Sequence, residues 1–223
     1  MAETMTLKAA IADAGRVTIG NTKMPGTTFP ISAKRCKTGA KLVHVEGSVC
    51  SKCYALRLQA FRTSVDQGWE ANYLRATTMI ERNPQRWSEA CAYQINRAIA
   101  KGSKPFHRWF DSGDLQSVAM LRAIVMVCEA LPNVAHWLPT REAGIVKAYA
   151  SQHGAFPANL VVRVSSTMIG DEPRTGYTHT STVHRHGCAH VGEACLARTR
   201  GNACGPCRAC WDPTVPNVSY PLH

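Results

Sequence analysis

Between positions 106 and 164 the chain alternates short β-rich runs with helical ones, and few folds accept that rhythm. Phe106–Phe110 suits a strand, and Leu115–Leu131 suits a helix with Val118, Leu121, Val125 and Cys128 on one face. Val134–Leu138 and Leu160–Val164 repeat the strand pattern, with a helix from Arg141 to Gln152 between them. The run Leu160–Val164 is almost wholly apolar, as in strands buried on both faces of a parallel sheet. Lys41–Glu46, with Leu42, Val43 and Val45, supplies an earlier strand by its β-branched content. The expectation is an α/β fold: a partial (β/α) barrel or a parallel sheet of about four to six strands, with a cysteine-rich C-terminal extension.

Upstream, the pattern is helical. Leu7–Ala14 ends at Gly15, and further helices are expected over positions 54–63 and 70–82. Asn83 and Pro84 then give a cap and a first-turn proline for a helix to Ala100. Trp87, Ala90, Cys91, Ile95 and Ala98 share its apolar face, which makes Cys91 a buried structural thiol. Positions 21–35, with two prolines, read as an extended arm. The 223 residues divide into an arm (1–35), an α/β core (36–175) and a cysteine-rich tail (176–223).

Two cysteine groups stand out. Cys36, Cys50 and Cys53 are spaced C-x13-C-x2-C just before a helical pattern. Three thiolates at the mouth of a β–α unit suit a metal or an iron–sulfur cluster with one position left open. Lys34, Arg35, Lys37 and Lys41 surround Cys36, either as a solvated loop or as cationic support for a thiolate centre. Near the other end, Cys204, Cys207 and Cys210 form C-x2-C-x2-C, the three-ligand run of 4Fe–4S sites. Cys188 or Cys195 supplies the fourth ligand, and zinc is the competing occupant. His184, His186 and His190 are possible substitute ligands or plain surface histidines.

No apolar run approaches the ~20 residues of a membrane span, and the N-terminus lacks a signal peptide's apolar stretch. A cytosolic location follows, and there ten cysteines are metal ligands more often than disulfides. The net charge of +11 suits an anionic partner such as a nucleotide or nucleic acid, or simply a solvated basic surface.

In parallel sheets, chemistry gathers at the carboxyl ends of strands. The residues expected there are Tyr54, Asp111, Ser112, Gly113, Asp114, Arg141, Glu142, Arg163 and Ser165. Asp114 and Thr140 also suit helix caps, and Arg141 with Glu142 a solvated pair. Arg163, inside an apolar strand, must find a partner or face a polar cavity.

The segments KMPGTTFPISAKRCKTGAKL, VEGSVCSKCYAL, RWFDSGDLQS, HWLPTRE and CGPCRACW resemble the phage and bacterial family called gene product eighty-eight. More distantly, the layout is similar to radical S-adenosylmethionine (SAM) enzymes. That resemblance implies a 4Fe–4S cluster on Cys36, Cys50 and Cys53 and SAM bound by Ser112, Gly113, Asp114, Arg163 and Ser165. It also places Tyr54, Asp111, Arg141 and Glu142 at the catalytic rim and implies a second, auxiliary cluster in the tail. The implied activity is an isomerase, mutase or related transferase acting on a nucleotide or a hypermodified pyrimidine of phage DNA. A flavodoxin or ferredoxin would supply electrons in the host cytoplasm. Two other readings are a zinc-stapled basic nucleic-acid-binding module and a metal-dependent nuclease using Asp111, Asp114 and Glu142.

Overall fold

A computed structural model describes residues 5–20 and 23–222. Positions 1–4, 21–22 and 223, which belong to the expected arm and tail, lie outside the described residues. The helices are α1 (Leu7–Ala14), α2 (Lys37–Leu42), α3 (Tyr54–Phe61), α4 (Thr63–Arg82), α5 (Pro84–Ala100), α6 (Val118–Ala130) and α7 (Ala143–His153). The strands are β1 (Thr18–Ile19), β2 (Thr27–Phe29), β3 (Phe106–Trp109), β4 (Ala135–Thr140), β5 (Leu160–Ser165), β6 (Thr180–His184), β7 (Glu193–Ala194) and β8 (Asn217–Pro221).

They form one eight-stranded sheet in the order β1-β2-β3-β4-β5-β6-β8-β7. All neighbours are parallel except the β1–β2 pair. From β2 to β5 the strands advance in one direction through helical crossovers. Right-handed crossovers of that kind place every helix on the same face. Pairing registers identify that face: Phe29 opposite Trp109, His107 opposite His136, and Leu138 opposite Val162. Phe29, Trp109, Leu138, Val162 and Val164 join Trp87, Ile95, Leu121 and Ile124 of the helices in one buried core, with His107 and His136 buried on the same face.

The opposite, inner face carries Phe106, Arg108, Trp137, Val161, Arg163, Val218 and Tyr220 by the same registers. It is covered by the cysteine-rich segment. Trp211 packs edge-on against Phe106 and Trp137 at ring separations of 5.5 and 5.2 Å, and its indole donates to the His107 carbonyl.

Two expectations change. Positions 41–46 are not a strand: α2 ends at Leu42 and a turn follows, fixed by the Ser48 hydroxyl donating to the Leu42 carbonyl. The strand beside β3 is instead β2, inside the stretch read as an extended arm. The cysteine-rich tail, for its part, contributes β6, β7 and β8 to the same sheet. No described helix is long and apolar enough to cross a membrane.

Candidate functional site

The site is built where β2, β3 and β4 end. After β2 the chain passes through a single 3-10 turn to Cys36, which caps α2. Two contacts press this loop onto the rim. Glu142, just past β4, accepts from the Thr38 amide and hydroxyl at 2.8 and 3.0 Å, capping α2 in place of a local side chain. Gln116 donates to the Arg35 carbonyl, and Lys37 donates to the Gln116 carbonyl at 2.6 Å.

Gly39 marks where the thiols meet. A Cβ placed on it would lie 3.0 Å from the Cys36 Cβ and 3.7 Å from both the Cys36 and Cys50 sulfurs. Only a residue without a side chain leaves that space between the two thiols open. Cys53 caps α3 from the other side, and Tyr54 begins that helix. Burial pushes the Cys36 thiol far above its ordinary range, with Asp114, Cys53 and Cys50 adding to the effect. Burial likewise raises Cys50, while the Arg141 guanidinium pulls both back towards thiolate. Among the described residues no three His, Cys, Asp or Glu side chains already form a ready-made site for a single ion.

The polar residues of the rim divide into two kinds. Some are fully engaged. Asp114 accepts from the Leu115 and Arg141 amides at 2.8 and 2.9 Å and from the Thr140 hydroxyl at 2.5 Å, locking the β3 loop to the β4 loop. Burial raises its pKa to about 6 against those hydrogen bonds. Ser165 shares a hydrogen bond with Ser181 at 2.9 Å. Gly113, at φ +83°, packs so closely on Ile31 that a Cβ would fall 2.3 Å from its Cγ1. These residues hold the loops: Asp114 Oδ1 already accepts two hydrogen bonds and Oδ2 one.

The others are buried without partners: Asp111 Oδ1, Ser112 Oγ, Arg108 Nε and Arg141 Nε. A family model described as Gene product 88 matches residues 3–213. The chain belongs to the Gene product 88 family. No curated protein and no solved structure matches it.

Arg163 lies elsewhere than expected. Its side chain is fully buried on the inner face and donates to carbonyls of Ala209, Cys210, Asp212 and Val215 at 2.8–3.1 Å. It anchors the cysteine-rich segment and does not open onto the rim. Of the basic cluster around Cys36, Lys34 pairs with Asp66 at 2.7 Å and Arg35 with Glu70 at 3.1 Å, so the nearby cation is Arg141.

The sequence reading passed over Arg108. It lies over the Trp137 ring at 4.6 Å, beside the Tyr54 hydroxyl and Asp111. The Tyr54 hydroxyl itself donates to the Asp111 carbonyl. The signal that singled out Arg163, a charged residue within an otherwise apolar strand, was present at Arg108 as well.

Proposed function

We propose that Cys36, Cys50 and Cys53 hold a 4Fe–4S cluster and that the chain is a radical SAM-type enzyme. The observation that carries the reading is the company of these thiols. Cys36 and Cys50 flank a space kept open by Gly39, with Cys53 interacting with both, at the carboxyl rim of a parallel sheet and next to buried polar atoms that lack partners. Buried polar groups are almost always satisfied, so several orphans in one rim suit a polar ligand. Three thiolates would leave one iron without a protein ligand, and SAM bound there, given one electron from an external reductant through the cluster and losing methionine, would supply a radical for hydrogen abstraction.

The residues of this chain have roles that follow from their positions. Ser112 Oγ and Asp111 Oδ1 are the acceptors open to an ammonium or ribose hydroxyl, in the place first expected of Asp114. The Nε atoms of Arg108 and Arg141 are unpaired donors that a carboxylate or phosphate could take. Glu142 and Gln116 position the Cys36 loop. The substrate suggested by two buried guanidinium groups with an unpaired Nε each and a net charge of +11 is anionic, such as a nucleotide or a modified base in DNA. An isomerisation or related transfer on a phage pyrimidine, fed by a flavodoxin or ferredoxin in the host cytoplasm, fits that class.

The test is anaerobic protein incubated with SAM and a reductant, with 5′-deoxyadenosine as the readout. Formation by the native chain and its loss in Cys50→Ala and Cys53→Ala support the reading. Undiminished cleavage in either variant, or none in iron-loaded native protein, defeats it. The charge also supports a second reading, a zinc-stapled nucleic-acid-binding module. It predicts zinc in place of iron and DNA affinity that falls steeply with salt.

A further inference from the structure

The segment from Arg185 to Pro216 has almost no core of its own: among its hydrophobic side chains only Trp211 is buried. Its regular structure is limited to the two-residue β7 and two short 3-10 turns. Yet it crosses the inner face of the sheet in a defined path. A stretch that buries so little apolar surface needs a covalent or metal staple to hold it. Four thiols converge at the place where that staple is needed. Cys195, Cys204, Cys207 and Cys210 line one cavity, with Ala194, Val218 and Trp211 behind them.

The four come from two pieces of chain, fixed at several separate points. The Cys195 amide donates to the Ser219 carbonyl at 2.8 Å, beside the β7–β8 pairing. The Cys204 amide donates to the Lys23 carbonyl at 2.7 Å, and the Cys207 amide to the Cys204 carbonyl at 3.1 Å. Cys210 is held by its carbonyl on Arg163 and by a 3.2 Å contact between its sulfur and the Tyr220 hydroxyl. Cys188 is absent from this cavity. It is exposed on the turn after β6, its amide bonded to the Arg185 carbonyl.

We propose that Cys195, Cys204, Cys207 and Cys210 form a closed four-thiolate site for a second 4Fe–4S cluster, and that Cys188 takes no part in it. The C-x2-C-x2-C run provides three ligands of that cluster type, and Cys195 supplies the fourth from across the cavity. With all four irons bound by protein, the cluster has no open position. Its role is to staple the segment to the sheet and to carry electrons, not to bind substrate. This site does not depend on the reading of the Cys36 group.

The experiment separates the two sites. A chain with Cys36, Cys50 and Cys53 all changed to Ala is prepared without oxygen and assayed for iron, acid-labile sulfide and zinc. About four irons and four sulfides per chain are expected. Adding Cys195→Ala removes them, and adding Cys188→Ala leaves them. Zinc in place of iron, no metal, or loss with Cys188→Ala in place of Cys195→Ala overturns the proposal. Native protein gives a second readout that needs no variant to fold. In the iron-loaded chain iodoacetamide alkylates Cys188 while Cys195 and Cys204 are protected, and chelating the iron exposes them. Cys195 reacting as fast as Cys188 before chelation overturns the ligand assignment.

Discussion

Replacing Arg163 by Met tests whether one side chain holds the cysteine-rich segment to the sheet. The guanidinium reaches six backbone carbonyls, four of them at 2.8–3.1 Å and those of Thr180 and Pro216 at 3.4 Å. Met matches the length of the side chain and none of its donors. Each of the four close carbonyls then loses its donor, at roughly 1 kcal/mol apiece on the low side of the usual range. Relief from burying a charge offsets part of this, since desolvation already lowers the Arg163 pKa. A net loss of about 3 kcal/mol is expected, a large share of the ~5–15 kcal/mol that holds a domain together. Arg163→Lys, with three donors on one nitrogen, should lose about half as much. The assay is urea unfolding followed by tryptophan emission, with hydrogen exchange over positions 209–216. Trp211 sits in the affected segment, so its emission should shift even under native conditions. Stability within about 1 kcal/mol of the native chain, with exchange unchanged, would refute the anchoring argument. A stable variant that had lost SAM binding would return Arg163 to the cofactor role its sequence position suggested.

Two further outcomes follow from particular atoms. Gly39→Ala puts a methyl group into the space between the Cys36 and Cys50 sulfurs, so iron at that group should fall several-fold, read as iron per chain under anaerobic loading. Overall stability should move by less than about 1 kcal/mol, because Ala favours the helix by a similar amount as its 3.0 Å contact with Cys36 costs; full iron loading in this variant sinks the cradle argument. His136 and His107 are both buried and neutral, with burial lowering His136 to about 3 and His107 well below its ordinary value. The unfolded chain takes up these protons near pH ~6.5, so the stability they allow is complete above that pH and drains away as pH falls towards the folded values. Each contributes a slope of about 1.4 kcal/mol per pH unit below that point, and His136→Phe should remove one such share in urea unfolding between pH ~6.5 and ~4.5. An unchanged slope in that variant would mean that His136 is already charged in the folded chain.

Legibility tracked where the burial was local. The helix α5 was readable to the residue because Asn83 accepts from the Arg86 amide and Pro84 occupies the first turn. Strand β5 declared itself because it is buried on both faces and its side chains are apolar apart from Arg163 and Ser165. By contrast β6 and β8 carry Thr180, Ser181, Thr182, Asn217 and Ser219, all buried. They satisfy one another across strands, Thr180 donating to Asn217 at 2.8 Å and Asn217 to Thr182 at 3.0 Å, so no hydrophobic alternation announces them. Strand β2 is three residues long and exists through its pairing with β3. The run Leu42–Val45 has strand propensity but is bent into a turn by Ser48 and by the cap that Glu142 places on α2, both tertiary in origin or beyond a local window. The cysteines were visible from spacing. Which of Cys188 and Cys195 faces the cavity was not, because that depends on β7 joining the sheet beside β8.

The two thiol groups differ most in what surrounds them, and that difference separates a reactive centre from a structural one. Around Cys195, Cys204, Cys207 and Cys210 the polar groups are engaged with the chain itself. Arg163 is saturated by carbonyls, Arg200 donates to the Cys204 carbonyl, Arg208 donates to those of Gly205 and Cys207, and Tyr220 meets the Cys210 sulfur. Around Cys36, Cys50 and Cys53 the scaffold is also tied down, through Glu142, Gln116 and Asp114, but Asp111, Ser112 and Arg141 keep buried atoms unpaired, and Arg108, with its own unpaired Nε, lies between the groups, near Tyr54 and Asp111 on one side and Cys210 and Tyr220 on the other. Leaving such atoms unpaired costs roughly 1–3 kcal/mol each, which a merely structural metal site gives no reason to bear. The remaining orphans are ring nitrogens of His107, Trp109, His136 and Trp137, buried within strands β3 and β4. Among acidic, hydroxyl and guanidinium groups, the unpaired atoms thus gather beside the group with three thiols, with Arg108 between the two groups, while the other polar side chains around the group with four have already made their bonds.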